Sequence, residues 1–534
     1  MALTVTPQQR FKFRNPLAWW GWLLAVALAL AVNLAPPFFV LAGILAVVVL
    51  LLLLKKPAWG AFALVLSVPV QKVVSYGPSE ITVTQMLFVV VLGIWWGWMA
   101  LRGDRRLVIT PVAVGLLFFL ASTLPSLWAT TSLSESLAEI SRWLVTILAY
   151  VITVNSVQTR REMNILISVM LIAGMSEAVL GLGQAYSGLG PSSFNVGGLL
   201  TRAYGTIGAP NSFAGYIDLS LPLALALSVY LWGKWVSARN AAPFLTKRDF
   251  RSIEKLRAPV LMSLVFVTLL WTVITSLSRG AWVGLSFGVL AMVLALGKRA
   301  SAAITAIFGL VAAVLGLNAV GSLPSVISDR FAQLTSQLAI FDPRGITPTP
   351  DNYAVVERMV HWHVAGNMFL SSPWIGVGFG NFNVLFNKFG VQGWPYSRGH
   401  AHNYYLHLLA EVGIVGLTFY LIMLVTALTV GIRALRQART SGDTYGEAVV
   451  IGALGILVTF MFHNLFENLH ALNFGIHWGA ALALFTLVWL RKDADASGDA
   501  AHLPQAGASS SVPKGNPNLF AFESKTNKSK SREF

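Results

Sequence analysis

The chain has 534 residues, of which 55% are apolar, 11% charged and none cysteine, with a formal charge of +16 and a mean hydropathy of +0.67. A water-soluble domain carries about 25% charged residues, so lipid must cover what water cannot, and an ordinary soluble globule is excluded. The missing cysteines also exclude disulfides, thiolate metal sites and cysteine nucleophiles.

Runs of about 20 apolar residues cross a bilayer as helices. In chain order they fall at 18–34, 37–54, 58–74, 84–101, 110–128, 139–155, 163–187, 212–232, 259–277, 280–297, 300–320, 404–432, 446–466 and 472–490. The first run lacks a small-residue cleavage site and continues into the second, so it is read as a span and not as a signal peptide. The expected fold is therefore an all-α polytopic membrane protein of about 12–14 transmembrane helices. It divides into N-terminal helices (1–321), a large extracytoplasmic loop (322–403), C-terminal helices (404–490) and a disordered cytoplasmic tail (491–534).

The positive charge is mostly topological. Of the 38 Lys and Arg residues, 24 precede the first span or follow an even-numbered one, which by the positive-inside rule makes both termini cytoplasmic. Five more lie in the tail, rich in Ser, Asn, Pro and Lys, so the charge calls for no nucleic-acid partner. Nine remain: Lys72, Arg142, Arg202, Arg279, Arg330, Arg344, Arg358, Lys388 and Arg398.

Arg202 and Arg279 stand out among the nine. Each lies in a Gly-containing turn at the lip of a span, where a guanidinium near hydrocarbon is costly and calls for a partner. An arginine that snorkels to lipid headgroups is the plain alternative. Two such residues point instead to an anionic ligand, because the guanidinium fork matches a phosphate.

His402 stands where the large loop enters the 404–432 span, within HAHNYYLHLLAEVGIVG. A helix starting there places His402 and Gly413 on one face and Glu411 opposite, while Glu411 shares a face with His407. A histidine at a helix N-terminus is disfavoured in its charged form, so His402 would be neutral and able to act as a general base. The pairs His361/His363 and His400/His402 raise a metal. On a helix residues i and i+2 point apart, and zinc needs three or four ligands, so no metal is expected. Glu177, Asp218 and Glu467 are ionisable groups at membrane depth, read as internal hydrogen-bonding groups or functional candidates.

His402-Asn403, nine residues, then Gly413-Ile-Val-Gly416 resembles the His-(Asn/Ser/Gln)-x9-Gly-x-x-Gly pattern of the O-antigen ligase and polymerase superfamily. RAYGTIGAPNSFAGY, SLSRGAW and ERMVHWHVAGNMFLSSPWIGVGFGNF are similar to its other recurrent segments, in the same order. The resemblance implies a membrane glycosyltransferase of the GT-C type, cofactor-free, metal-independent and inverting. It implies a donor glycan on undecaprenyl diphosphate and an acceptor hydroxyl on lipid A-core, glycan or protein, at the periplasmic face of the inner membrane. Arg202 and Arg279 match the arginines held to bind the donor diphosphate, and His402 matches the base; Asn403, Glu411, Arg398 and Asn211 are candidate supporting residues. A polymerase extending the lipid-linked glycan and a transporter or flippase of such glycans are the alternatives.

Overall fold

The structure is a computed structural model that describes residues 56–297 and 341–496 apart from 71–72, 77–78, 102–106, 197–199, 241–249, 350–351 and 395, with scattered residues between 301 and 328. The expected spans 18–34, 37–54 and most of 300–320 lie outside the described residues, as does nearly all of the tail. The chain divides into two units, Met1–Arg491 and Lys492–Phe534, and the first carries the helical body.

Its described elements are α1 (Ala58–Ser67), β1 (Val73–Tyr76), β2 (Ser79–Thr82), α2 (Val83–Leu101), α3 (Pro111–Thr123, extended as a 3-10 turn to Ala129), α4 (Leu133–Ser156), α5 (Arg160–Ser187), β3 (Asn195–Val196), β4 (Leu200–Thr201), α6 (Pro210–Asp218), α7 (Leu221–Asn240), α8 (Phe250–Ser276), α9 (Arg279–Ala295), α10 (Tyr353–Ser371), α11 (Phe382–Leu385), α12 (Tyr404–Thr440), α13 (Thr444–His463) and α14 (Phe474–Ala496). Among the described residues, nine helical segments are long and apolar enough to cross a bilayer, α6 and α7 forming one of them; α1 and α9 are shorter apolar helices. An all-α polytopic membrane protein is thus what the chain forms. Each of the eleven expected spans in the described region has its helix, although α1 stops at Ser67 and a two-stranded hairpin starts at Val73, inside the expected 58–74 span. That short antiparallel pair, and the β3–β4 pair, lie in connections too brief to show a strand period.

Helix ends follow local chemistry. Thr159 caps α5 through its side chain and Glu162 reaches back to the Thr159 backbone as a capping box, which satisfies backbone donors that the helix leaves open. Thr110 and Ser278 cap α3 and α9 with their hydroxyls.

Two interfaces position the site. α9 packs on α13, and Gly284 and Gly288 let it do so: a Cβ at either would fall within 3 Å of Thr459 or His463, the close approach that small residues permit between membrane helices. α12 packs on α3 around a buried aromatic cluster. There Trp143 stacks on His470 with ring centroids 4.5 Å apart, the Trp143 indole N–H donates to Tyr404 Oη at 3.2 Å, and Tyr420 Oη lies 2.9 Å from His470 Nε2. These contacts join α4, α12 and the turn between α13 and α14.

Candidate functional site

Arg202 follows β4. Its backbone N–H donates to Phe194 O at 2.8 Å and the next residue, Ala203, donates to Thr275 O at 3.3 Å. The loop beyond is pinned from α5: Glu177 Oε2 accepts from Thr206 N at 2.9 Å, and Gln184 Oε1 accepts from Gly205 N at 2.8 Å. The mid-span carboxylate Glu177 is therefore a fastening for the arginine loop. Arg202 Nε donates to Ser276 O at 2.8 Å, and its Nη2 donates to Asn211 Oδ1 at 2.9 Å. Asn211, a candidate supporting residue, thus holds one end of the Arg202 guanidinium.

Ser276 lies three residues before Arg279, so the two arginine turns are stitched together. Arg279 is the first residue of α9, buried behind the Ser278 cap. A helix N-terminus carries partial positive charge and open N–H donors, a setting that suits an anion. Leu277, between them, takes φ 53°, a left-handed conformation that costs a non-glycine residue about 1–3 kcal/mol and that clusters at functional sites.

His402 is not on the helix. Asn403 is the N-cap of α12, its Oδ1 accepting from Tyr405 N at 3.0 Å and Leu406 N at 3.1 Å, and His402 precedes it with φ 50°. The expected one-face arrangement with Gly413 also fails, because Gly413 breaks α12 with φ 64° and ψ −166°. That conformation is essentially open to glycine alone. It lets the backbone of 373–378 dock on the break: Ile414 N donates to Pro373 O at 2.9 Å and Val377 N to Ala410 O at 3.0 Å. A Cβ at Gly413 would collide with the Trp374 carbonyl group. The motif glycine thus serves this docking.

Glu411 belongs to the same docking and not to His402. Its carboxylate accepts from Gly380 N at 2.9 Å and Phe382 N at 2.8 Å, with His407 Nε2 at 3.5 Å. It fastens the GVGFGNF turn, so its contacts are those of an anchor, and it shares the His407 side of α12 as the spacing suggested. Arg398 pairs with Glu357 on α10 at 2.8 Å, more than half exposed, and its backbone N–H donates to His361 Nε2 at 3.1 Å. It straps the loop ahead of His402 to α10. Of the other basic residues set apart by the sequence, Arg142 pairs with Glu139 and Arg344 with Asp342, while Lys72 and Arg330 lie outside the described residues.

The residues that actually surround His402 are His400, His361, Glu467 and Arg358. Ring centroids lie 4.4 Å from His400 and 5.2 Å from His361. His402 Nδ1 is 3.8 Å from Glu467 Oε1, with the side chain 12% exposed, and neither ring nitrogen has a hydrogen-bond partner. Burial, reinforced by the charges of His400 and Arg358, holds its pKa below the ordinary histidine value despite Glu467. These surroundings favour the neutral form of His402.

His400, His402 and Glu467 offer nitrogen and oxygen donors that all lie within 4.8 Å of one another, the composition of a cation site. The expectation that neither His-x-His pair converges is corrected for this pair, because 400–402 is loop and the helical spacing rule does not apply. His361 and His363 lie on α10, where His361 Nδ1 meets Glu357 O at 2.7 Å.

The α13–α14 turn touches both clusters. Phe466 and the His463 ring pack so closely on Gly280, next to Arg279, that a Cβ there would fall 2.8 Å from Phe466 Cβ and 3.1 Å from His463 Cδ2. One residue past Phe466, Glu467 meets His400 at 2.5 Å. Asp218 fixes the near end of this turn through His463 Nδ1 at 2.9 Å. Leu472 and Asn473 close the far end with φ of 54° and 62°, so all four positive-φ residues other than glycine among the described residues fall in these three segments.

The O-antigen ligase family model matches residues 264–421, a stretch that holds Arg279, Arg358 and His402 and leaves Arg202 and Glu467 on either side. No curated protein matches the chain.

Proposed function

The chain belongs to the O-antigen ligase and polymerase superfamily through residues 264–421, and on that premise we propose that it moves a glycan from an undecaprenyl-diphosphate-linked donor to an acceptor hydroxyl, as a ligase of the outer face of the cytoplasmic membrane. The observation that carries this reading is the α13–α14 turn, which packs on the Arg279 turn through Phe466 and on the histidine cluster through Glu467. A diphosphate held by one cluster would bring its sugar toward the other.

Arg202 and Arg279 bind the donor diphosphate. Arg202 is aimed by Ser276 O and Asn211, and Arg279 adds its charge at the N-terminus of α9. The acceptor hydroxyl gives its proton to His402, its oxygen attacks the anomeric carbon, and the diphosphate departs with the bonding electrons. The arginines stabilise the charge that grows on the leaving oxygen, the kind of fixed electrostatic contribution that often dominates catalysis. A single displacement inverts the anomeric centre. The ring nitrogens of His402 are buried, so the acceptor enters when the strap held by Arg398 to Glu357 and His361 opens.

The termini and the basic loops face the cytoplasm on this reading, and the site faces the periplasm. Purified protein in lipid discs, given a polyprenyl-diphosphate-linked glycan and a lipid A-core acceptor, is expected to release polyprenyl diphosphate. His402→Ala is expected to lower that rate by about 10²–10⁴-fold, the usual worth of a general base. Normal turnover by the variant would overturn the base assignment, and a ladder of repeats in place of one transfer per acceptor would make the protein a polymerase.

A further inference from the structure

A general base normally has a third group that orients it by hydrogen bond, yet His402 has no hydrogen bond at either nitrogen. Its neighbours show what takes that place. His400 Nδ1 lies 3.0 Å from Arg398 O and His400 Nε2 lies 2.5 Å from Glu467 Oε1. A carbonyl and a carboxylate only accept, so both ring nitrogens of His400 must donate, and a ring with two N–H groups is an imidazolium.

We infer that His400 and Glu467 are an ion pair that positions His402, with the Glu467 carboxylate facing His402 Nδ1 so that this nitrogen keeps the proton and Nε2 is the atom that takes the acceptor's. The inference rests on the reading of His402 as the base. It assigns His400 a fixed positive charge, which bars it from acting as the base, and it gives both residues positioning roles.

The pair is held rigidly. Asn468 N donates to the same Glu467 oxygen at 3.2 Å. The turn carrying Glu467 is tied to the start of α12 by Tyr404 N donating to Asn464 O at 2.8 Å, and to the first hairpin by Asn473 Nδ2 donating to Thr82 Oγ1 at 3.0 Å. Glu467 is buried at 5% side-chain exposure. Burial alone would favour its neutral form, but the His400 charge and hydrogen bond keep the carboxyl well below its usual range. Burial likewise opposes charge on His400, and Glu467 outweighs it, so the His400 pKa is raised.

The other groups facing His402 cannot replace the pair. His361 has one nitrogen against Glu357 O and the other taken by the Arg398 backbone N–H, and burial holds its pKa down at about 4. Arg358 adds a like charge.

When Nε2 accepts the acceptor's proton, His402 becomes a cation between His400 and Arg358. That charge is tolerable only beside a carboxylate. Glu467, 3.8 Å from Nδ1, has to move by less than about 1 Å to reach hydrogen-bond distance. The step balances: the acceptor O–H bond breaks, its proton goes to His402 Nε2, the oxygen bonds the anomeric carbon, and the bond to the diphosphate breaks.

The test compares Glu467→Gln, Glu467→Asp and His402→Ala in full-length protein, reading kcat, the donor KM, the Tm in detergent and bound transition metal by elemental analysis. Glu467→Gln keeps size and loses charge; it is expected to lower kcat about 100-fold with donor KM within twofold, a loss of the size seen for outer partners of catalytic groups, in protein whose Tm is lowered by loss of the buried pair but which still folds. Glu467→Asp is expected to recover at least tenfold of that loss, which a purely structural role would not explain. Normal kcat in Glu467→Gln beside an inactive His402→Ala would overturn the pair and leave the base reading intact. A stoichiometric metal in the native protein that is missing from Glu467→Gln would overturn the pair in favour of a metal ligand set. Turnover by His402→Ala would overturn the base reading and the inference with it.

Discussion

The arginine turns and the histidine turn handle charge in opposite ways. Arg202 is steered by a backbone carbonyl and an amide, acceptors that aim a guanidinium without neutralising it. Around His402 the cations meet carboxylates: His400 with Glu467, Arg398 with Glu357. The acceptors placed on Arg202 by Ser276 and Asn211 are neutral, whereas those on His400 and Arg398 are carboxylates. The first suits a site for a dianionic leaving group, because neutral acceptors orient a guanidinium fork toward phosphate. A site that moves a proton needs the second, because the base must change charge during the reaction beside groups that tolerate both states.

This contrast is open to direct attack. Arg279→Ala is expected to lower kcat/KM for the donor by about 10²–10³-fold, as for a lost transition-state donor. Donor affinity should fall in this variant and be retained in His402→Ala, which steady-state kinetics and a binding titration would separate. Equal loss of donor affinity in both would erase the division between the regions.

Gly413→Ala attacks the histidine region through the backbone. It forces a side chain into a glycine-only conformation against the Trp374 carbonyl, and is expected to destabilise the fold by about 3 kcal/mol or more, read as a lower Tm. An unchanged Tm would mean that the break in α12 does not carry the docking of 373–378.

Asn211→Ala removes one hydrogen bond to a charged group, worth about 1.5–3 kcal/mol, and leaves the Ser276 contact to Arg202. The donor KM is expected to rise about tenfold with kcat nearly unchanged. A fall in kcat with KM intact would place Asn211 in the chemistry.

The smallest effect expected is that of pH. A base must be neutral to work, and His402 has its pKa held below the ordinary 6.5. Transfer should therefore change less than about twofold between pH 7 and 8 and decline only in the acid range. A rise of about tenfold across that interval would require the essential group to be protonated at pH 7, which the surroundings of His402 contradict.

The membrane fold was legible because each helix must be apolar along its full crossing, a signal carried within about 20 consecutive residues. The two arginines drew notice for a related reason, since charge at a span's lip is costly wherever it occurs. Support of Arg202 by Asn211, nine residues on, was also within local reach. The surroundings of His402 were not. A helical wheel assumed one unbroken helix from His402 onward, while Asn403 caps the helix after it and Gly413 breaks it. Glu467 was visible only as an ionisable group near a span's end. Its partner His400 lies 67 residues away, a pairing that tertiary packing creates and no local period announces. The spacing places Glu411 with His407 on the face away from His402, but its hydrogen bonds to Gly380 N and Phe382 N, 31 and 29 residues back along the chain, had no local signal.

The central claim is that both clusters act on one substrate. The most direct measurement is a structure of the His402→Ala protein with a polyprenyl-diphosphate-linked glycan bound, trapped by loss of the base. The account predicts the diphosphate within hydrogen-bond reach of Arg202 and Arg279, with the anomeric carbon turned toward position 402 and Glu467 behind it. A diphosphate seated away from both arginines, or a sugar directed away from position 402, would contradict it.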